Sequence, residues 1–277
     1  MKNNRTIKAC LFMIFFVWVC SNLKADDALL KLEINYSKDS YLLSEPIWLD
    51  LTLSNVSEDT VRIIGPCVHC GDTRFVVVSS KGDTLTYRGI EAEVAYGSGS
   101  LLDPSEKKYN CFNFLDYYGE RESILRLKLK PDRYTVHAIY YGSKCGKITS
   151  NKTTFKVTEV PEVELQPLKL LKQGYSAQIS KSPNLSTESF EQIINQFPQS
   201  VYAELASKEL ASTDSLKMEM LKKYPDSGFT KWILSRVTSK MTAERKRNLL
   251  QKVIKDFPNT RAAKFAEKMF KTIEDEK

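Results

Sequence analysis

The sequence predicts an all-β sandwich followed by an all-α helical-repeat region. Three observations favour this fold class: short runs of alternating apolar and polar residues in the first half, a helical apolar period after Pro161, and three copies of an aromatic-Pro-x-Ser/Thr motif. Hydrophobic residues make up 42% and charged residues 27%, which is typical of folded globular proteins rather than of disordered or fibrous ones. The predicted boundaries are 1–25 for a signal peptide, 27–160 for the sandwich, 161–185 for a linker and leading helix, and 186–277 for the repeats.

The first 25 residues have the pattern of a secretory leader, with a basic start, an apolar run over residues 9–19 and a polar exit. As a helix this run would extend roughly 16 Å, too short for a hydrocarbon core of about 30 Å. We therefore expect an exported protein that is periplasmic or associated with the outer membrane. Two ways of processing this leader stay open. Cleavage after Ala25 would release a soluble chain, whereas Val17-Trp18-Val19-Cys20 resembles a bacterial lipobox, in which lipidation of Cys20 would anchor the protein.

Residues 27–160 carry the strand signals. The runs 29–36, 47–53, 125–130 and 134–140 alternate with period two, as strands with one buried face do, and residues 153–158 make a closing strand. Shorter apolar runs lie between them, separated by polar turns. Seven or more short strands without a helical period predict a β-sandwich of immunoglobulin type.

The turns of this region carry a resemblance. Ser44-Glu45-Pro46-Ile47, then Leu129-Lys130-Pro131-Asp132, then Ser150-Asn151 before the closing strand resemble the framework of immunoglobulin-like modules in bacterial envelope proteins. The same order is similar to the intracellular proteinase inhibitors of the BsuPI type. The resemblance implies a fold and, as one alternative function, inhibition of a proteinase through the sandwich.

The helical half contains an internal repeat. Phe197-Pro198-Gln199-Ser200, Tyr224-Pro225-Asp226-Ser227 and Phe257-Pro258-Asn259-Thr260 follow one another at spacings of 27 and 33 residues. In each copy the aromatic closes one helix, Pro forces the chain out of it, and Ser or Thr caps the next. The motif resembles the tetratricopeptide-like repeats of outer-membrane-assembly lipoproteins. That resemblance implies stacked helix pairs with a concave surface suited to a peptide or a partner helix.

Four cysteines remain once the leader is removed: Cys67, Cys70, Cys111 and Cys145. In an exported chain an even number predicts structural disulfides, and the expected pairs join Cys67 or Cys70 to Cys111 and the other to Cys145. Two alternatives stay open: a thiol-disulfide oxidoreductase using Cys67 and Cys70, and a zinc site of these thiolates with His69. The expectation remains a disulfide framework, with no metal and no cofactor.

Six aromatic residues are candidates for partner binding. Four lie on a segment with weak strand character, where the alternative is that half of them fill the core, and two lie on the repeats: Phe112, Phe114, Tyr117, Tyr118, Tyr202 and Trp232.

No chemistry-bearing motif accompanies these aromatics. The sequence has no Ser-His-acid order of a hydrolase and no glycine-rich phosphate loop before a helix. The formal net charge of +7 includes four positive charges of the expected leader, which leaves too small an excess to indicate nucleic acid. We therefore predict a non-catalytic binding or adaptor protein of the cell envelope, with a protein or peptide partner.

Overall fold

A computed structural model describes residues 29–65, 72–85, 99–116, 129–141 and 146–275. The described chain forms a β-rich region followed by a region of seven helices, as the sequence predicts. The expected signal peptide at residues 1–25, with Cys20, lies outside the described residues. Within the described part of the chain, no helix is long and apolar enough to cross a membrane.

The strands of the β-rich region belong to three sheets. They are β1 (Leu30–Tyr36), β2 (Ser40–Leu42), β3 (Trp48–Asn55), β4 (Val61–Ile63), β5 (Thr73–Ser79), β6 (Ser100–Leu102), β7 (Lys107–Asn113), β8 (Asp132–Tyr140), β9 (Ile148–Thr149) and β10 (Thr153–Thr158). Sheet A has the order β1-β3-β7 and is antiparallel. Sheet B has the order β2-β10-β8-β5, with β9 on β8, and β4 pairs with β6. A short 3-10 turn, Phe114–Asp116, follows β7.

Sheets A and B enclose one hydrophobic core. Every second residue of β3 enters it, and Leu49, Leu51 and Leu53 are fully buried. Val136 and Tyr140 of β8 meet them from sheet B. The alternation that predicted strands therefore has its expected physical cause, because side chains of a strand point to opposite faces in turn.

The helical region begins without a separate linker. Its helices are α1 (Glu162–Ile179), α2 (Pro183–Gln196), α3 (Ala203–Leu210), α4 (Asp214–Lys223), α5 (Thr230–Thr238), α6 (Ala243–Asp256) and α7 (Arg261–Asp275). The leading helix predicted within residues 161–185 is α1, which starts directly after Pro161 and occupies most of that segment. Pro161 suits this start, because its backbone is extended and its missing N–H is one that a first helical turn leaves unpaired.

The three aromatic-Pro motifs form turns of one geometry. Phe197, Tyr224 and Phe257 share a φ near −130° and a ψ of 53–66°, and each donates its N–H to the carbonyl four residues earlier, which ends the helix. Three residues later, the hydroxyl oxygens of Ser200, Ser227 and Thr260 accept an N–H from the start of the next segment. The predicted turn is confirmed in all three copies. The predicted cap holds at Thr260 before α7, whereas α3 and α5 have Tyr202 and Phe229 at their N-cap positions, and Ser200 and Ser227 accept the N–H groups of these two residues instead.

Candidate functional site: the junction between sheet A and the helices

The outer face of sheet A is covered by helices. Alternate residues of β3 and β7 point away from the β core, and Trp48, Tyr109 and Cys111 pack instead with the hydrophobic residues of the helical region. The contacts from the helical side come from α3, α5, α7 and the turns before them. We call this contact the junction.

Trp48 fills a socket made by the second motif turn. Its ring meets Phe229 nearly at right angles, 84°, with centroids 4.9 Å apart. Its indole Nε1 donates to Glu204 Oε1 at 3.2 Å, and Ser227 Oγ donates to the same oxygen at 2.7 Å. A Cβ atom at Gly228 would lie 1.9 Å from Trp48 Cε3, closer than any real contact, so only glycine allows the ring to sit there.

The third motif turn supplies a buried ion pair. Arg261 Nε and Nη2 donate to Asp50 Oδ1 and Oδ2, each at 2.9 Å, in the two-pronged geometry that a guanidinium favours. The Arg261 side chain is 4% exposed and that of Asp50 17%. Tyr109 donates its hydroxyl proton to Asp50 as well, and the Arg261 N–H donates to Asp226 Oδ1 at 3.1 Å. Taking one partner away would leave a charge buried in the junction.

The titratable groups around this pair are held in their ordinary protonation states. Burial raises the pKa of the Cys111 thiol and of the Tyr109 hydroxyl, and Asp50 raises both further. Burial alone would lower the pKa of Arg261, but its hydrogen bonds to Asp50 raise it overall. A thiol with a raised pKa carries little thiolate and is a poor nucleophile or metal ligand. The arrangement joins the two regions through paired charges and neutral groups.

Two carboxyl groups lie at the other end of the junction. Burial raises the pKa of Glu204, although the hydrogen bonds from Ser227 and Trp48 lower it in part. Burial likewise raises the pKa of Glu45, against the opposing effect of its ion pair with Lys38. Close to them, Tyr202 donates its hydroxyl proton to the Leu43 carbonyl oxygen at 2.7 Å.

The structure corrects three of the predicted partner-binding residues. Phe112 and Phe114 are 8% and 1% exposed and pack against Phe75 in the β core, which is the alternative that the sequence left open. Tyr202 has no exposed surface, because it packs in the helical core and bonds across the junction. Trp232 on α5 is half-buried, with the Lys217 ammonium 5.8 Å from its ring centroid, and keeps part of its ring accessible.

Cys111 corrects the predicted disulfide set. It is a free thiol, turned toward Asp50 and Arg261 under the helices, and not bonded to another cysteine. The remaining members of the predicted sites lie outside the described residues: Cys67, Cys70, Cys145, His69, Tyr117 and Tyr118. The described ranges contain no group of three or more His, Cys, Asp or Glu residues that could hold a metal ion.

Sequence reasoning missed the junction. Trp48 and Asp50 alternate with buried leucines, and the period-two pattern predicts only one buried face for β3. One signal was available in the repeats: the residue after the motif Ser or Thr is Val201, Gly228 or Arg261. A position that differs this strongly between copies of one turn indicates individual contacts, and two of the three touch β3 directly.

Comparisons with known proteins leave the chain without a family. No family model and no curated protein matches it. A solved CARDB domain from Pyrococcus furiosus, described as a complex with di-metal ions, is 14% identical over 47% of this chain and 87% of that chain, with a TM-score of 0.25. Spo0M, a sporulation control protein of Bacillus subtilis, is 9% identical over 52% and 55%, with a TM-score of 0.29. A β-glucosidase of Listeria innocua is 12% identical over 47% and 16%, with a TM-score of 0.22. Similarities this distant carry no argument about function.

Proposed function

We propose that the chain is a non-catalytic binding or adaptor protein of the bacterial cell envelope. In this proposal an immunoglobulin-like sandwich and tetratricopeptide-like repeats form one rigid platform for a protein or peptide partner. One observation carries it: α3, α5 and α7 dock on sheet A, while α2, α4 and α6 contribute none of the hydrogen bonds or ring contacts that the described residues make across the junction. The repeats are thus fixed on one side and leave a row of helices for a partner.

The outer row has equivalent exposed positions in each repeat. Five residues before each motif aromatic stand Gln192, Glu219 and Lys252, all of them exposed. Their charges differ, so the row carries no single sign that would select a polyanion or a polycation. Together with the partly accessible Trp232 on α5, this surface suits a protein partner better than a uniformly charged polymer.

The junction supports the non-catalytic part of the proposal. Asp50, Tyr109 and Arg261 satisfy one another, and the raised pKa of Cys111 is the opposite of what a thiol nucleophile needs. The envelope location rests on the leader-like first 25 residues and on Cys20 as the alternative lipid anchor.

Site-specific photo-crosslinking in living cells tests the proposal. A photoreactive amino acid replaces Gln192, Glu219 or Lys252 in the outer row, and Arg133 or Lys156 on the exposed face of sheet B serves as the matched control. We expect one protein adduct of the same mass from the row positions and none from the controls. Absence of adducts at all five positions, or adducts from the sheet B positions alone, would overturn the proposed surface.

A further inference from the structure

A second surface lies beside the junction, at the seam between α7 and β7. Lys264, Lys268 and Lys271 follow one another at intervals of four and three residues, so they share one face of α7. Lys231 at the start of α5 and Lys108 on β7 extend the group. We call these five residues the lysine seam.

Three of the seam lysines contact neutral groups. Lys268 Nζ donates to the Tyr109 carbonyl oxygen at 3.2 Å, and Lys231 Nζ donates to Asn110 Oδ1 at 3.4 Å. The Lys264 ammonium lies 5.4 Å from the centroid of the Tyr109 ring. These contacts orient the three side chains without neutralising them.

The remaining two lysines share one carboxylate. Glu106 pairs with Lys271 at 3.1 Å and with Lys108 at 3.5 Å. The seam therefore keeps an excess of positive charge. The pKa of Lys268 reflects this: burial lowers it first, and the charges of Lys231 and Lys108 lower it further.

Side-chain contacts occupy part of the neighbouring strand edge. Among the described residues β7 is the last strand of sheet A, and its alternate backbone groups point away from β3. Two of these groups already have partners, because Tyr109 O accepts from Lys268 and the Cys111 N–H donates to Asn110 Oδ1. A ligand here would be recognised through charge rather than through backbone pairing.

We propose that the lysine seam binds an acidic segment, rich in Asp or Glu, of a protein partner. The seam suits a narrow chain better than a bilayer, because Lys268 turns its ammonium inward to β7 instead of out toward a flat surface. The site is separate from the outer row of helices and does not depend on that row being a partner surface.

Fluorescence anisotropy with the whole protein tests this inference. The probe is a fluorescein-labelled peptide of ten glutamates, and a peptide of ten glutamines is its control. The double variant Lys264→Gln/Lys268→Gln should weaken binding of the glutamate peptide about tenfold, since each exposed ion pair contributes a few-fold. Lys169→Gln/Lys172→Gln on α1 removes the same charge from an exposed helix face outside the outer row and should leave binding nearly unchanged. Binding should also weaken when salt rises above 0.15 M.

Several results would overturn the inference. Equal losses in the two double variants would mean that total charge, and not the seam, attracts the peptide. Binding to phosphatidylglycerol vesicles that depends on the seam, without binding of the glutamate peptide, would assign the surface to lipid. If the double variant loses its fold, Lys264→Gln alone keeps the test valid, because the Lys264 ammonium there lies over the face of the Tyr109 ring. If photo-crosslinking from the outer row yields an envelope adduct while the lysine seam does not bind the glutamate peptide, the seam inference fails and the proposed function stands.

Discussion

Asp50 on β3 and Arg261 at the first residue of α7 are paired through two hydrogen bonds of 2.9 Å, although 211 residues separate them in the chain. Trp48, two residues before Asp50, occupies the socket at Gly228 in the same junction. One strand of the β-rich region is therefore joined to two successive repeats of the helical region. The relationship makes the two regions parts of one unit and sets the relative positions of their outer surfaces.

Asp50→Asn should destabilise the protein by about 3 kcal/mol, because it leaves the Arg261 charge buried without its partner. Urea denaturation measures the loss. Glu33→Gln is the control, since the Lys31–Glu33 pair is exposed and should contribute less than about 1 kcal/mol. Equal effects of the two substitutions would contradict a buried ion pair at the junction.

Gly228→Ala should cost about 1–3 kcal/mol, because the new methyl group would overlap the Trp48 ring. The free energy of unfolding measures this, and Gly65→Ala, where a Cβ meets nothing within 4 Å, should be nearly neutral. In a Trp48→Ala background the Gly228→Ala cost should largely disappear. If the cost persists without the indole, the clash is not its cause.

The pKa of Glu204, raised by burial, gives a pH dependence with a defined sign. Its folded-state pKa lies above its unfolded value, so the folded state binds the proton more tightly and loses stability as pH rises through the interval between the two values. Glu204→Gln mimics the protonated group. The free energy of unfolding of this variant minus that of the wild type should be smallest at pH values below the ordinary carboxyl pKa range. The difference should increase as pH rises toward neutral.

Glu106 provides the control of opposite sign for this pH experiment. Burial raises the pKa of Glu106, but the Asp103 N–H, Lys271 and Lys108 outweigh it and lower the pKa overall. The carboxylate then contributes stability above its unfolded pKa that is lost as pH falls through its folded pKa. Glu106→Gln should therefore become more destabilising as pH rises. If both variants follow the same trend, burial at Glu204 is not the source of its pH dependence.

Cys111 should react with iodoacetamide much more slowly in the folded protein than after denaturation, because its side chain is only partly accessible beneath the helices and burial raises the pKa of its thiol. Peptide mass mapping before and after 6 M guanidinium measures this for each cysteine separately. Recovery of Cys111 in a disulfide-linked peptide would restore the pairing expected from the cysteine count. A bridge from Cys67 or Cys70 to Cys145 remains a prediction that the same map tests.

Local signals in the sequence predicted their elements well. The three aromatic-Pro motifs form the predicted turns, because proline and a capping hydroxyl act within a few residues. The period-two run of β3 likewise predicted its three buried leucines, because alternation along a strand is also a local pattern.

Features that depend on distant packing were missed. β7 was not recognised as a strand, because Lys107-Lys108-Tyr109-Asn110 lacks alternation, and its pairing with β3 decides its conformation. The polar face of β3 is covered by helices that follow about 150 residues later, and no local pattern contains that information. For Phe112 the weak strand signal left partner binding and the core as alternatives, and its position on β7 places it in the core.

Hydrogen exchange measured at increasing urea tests most directly whether the two regions form one unit. If they do, the most protected amides of β3 and of α7 should exchange through one opening, with the same free energy and the same urea dependence. Exchange of α5 and α7 through a separate opening of lower free energy, with β3 still protected, would contradict the account.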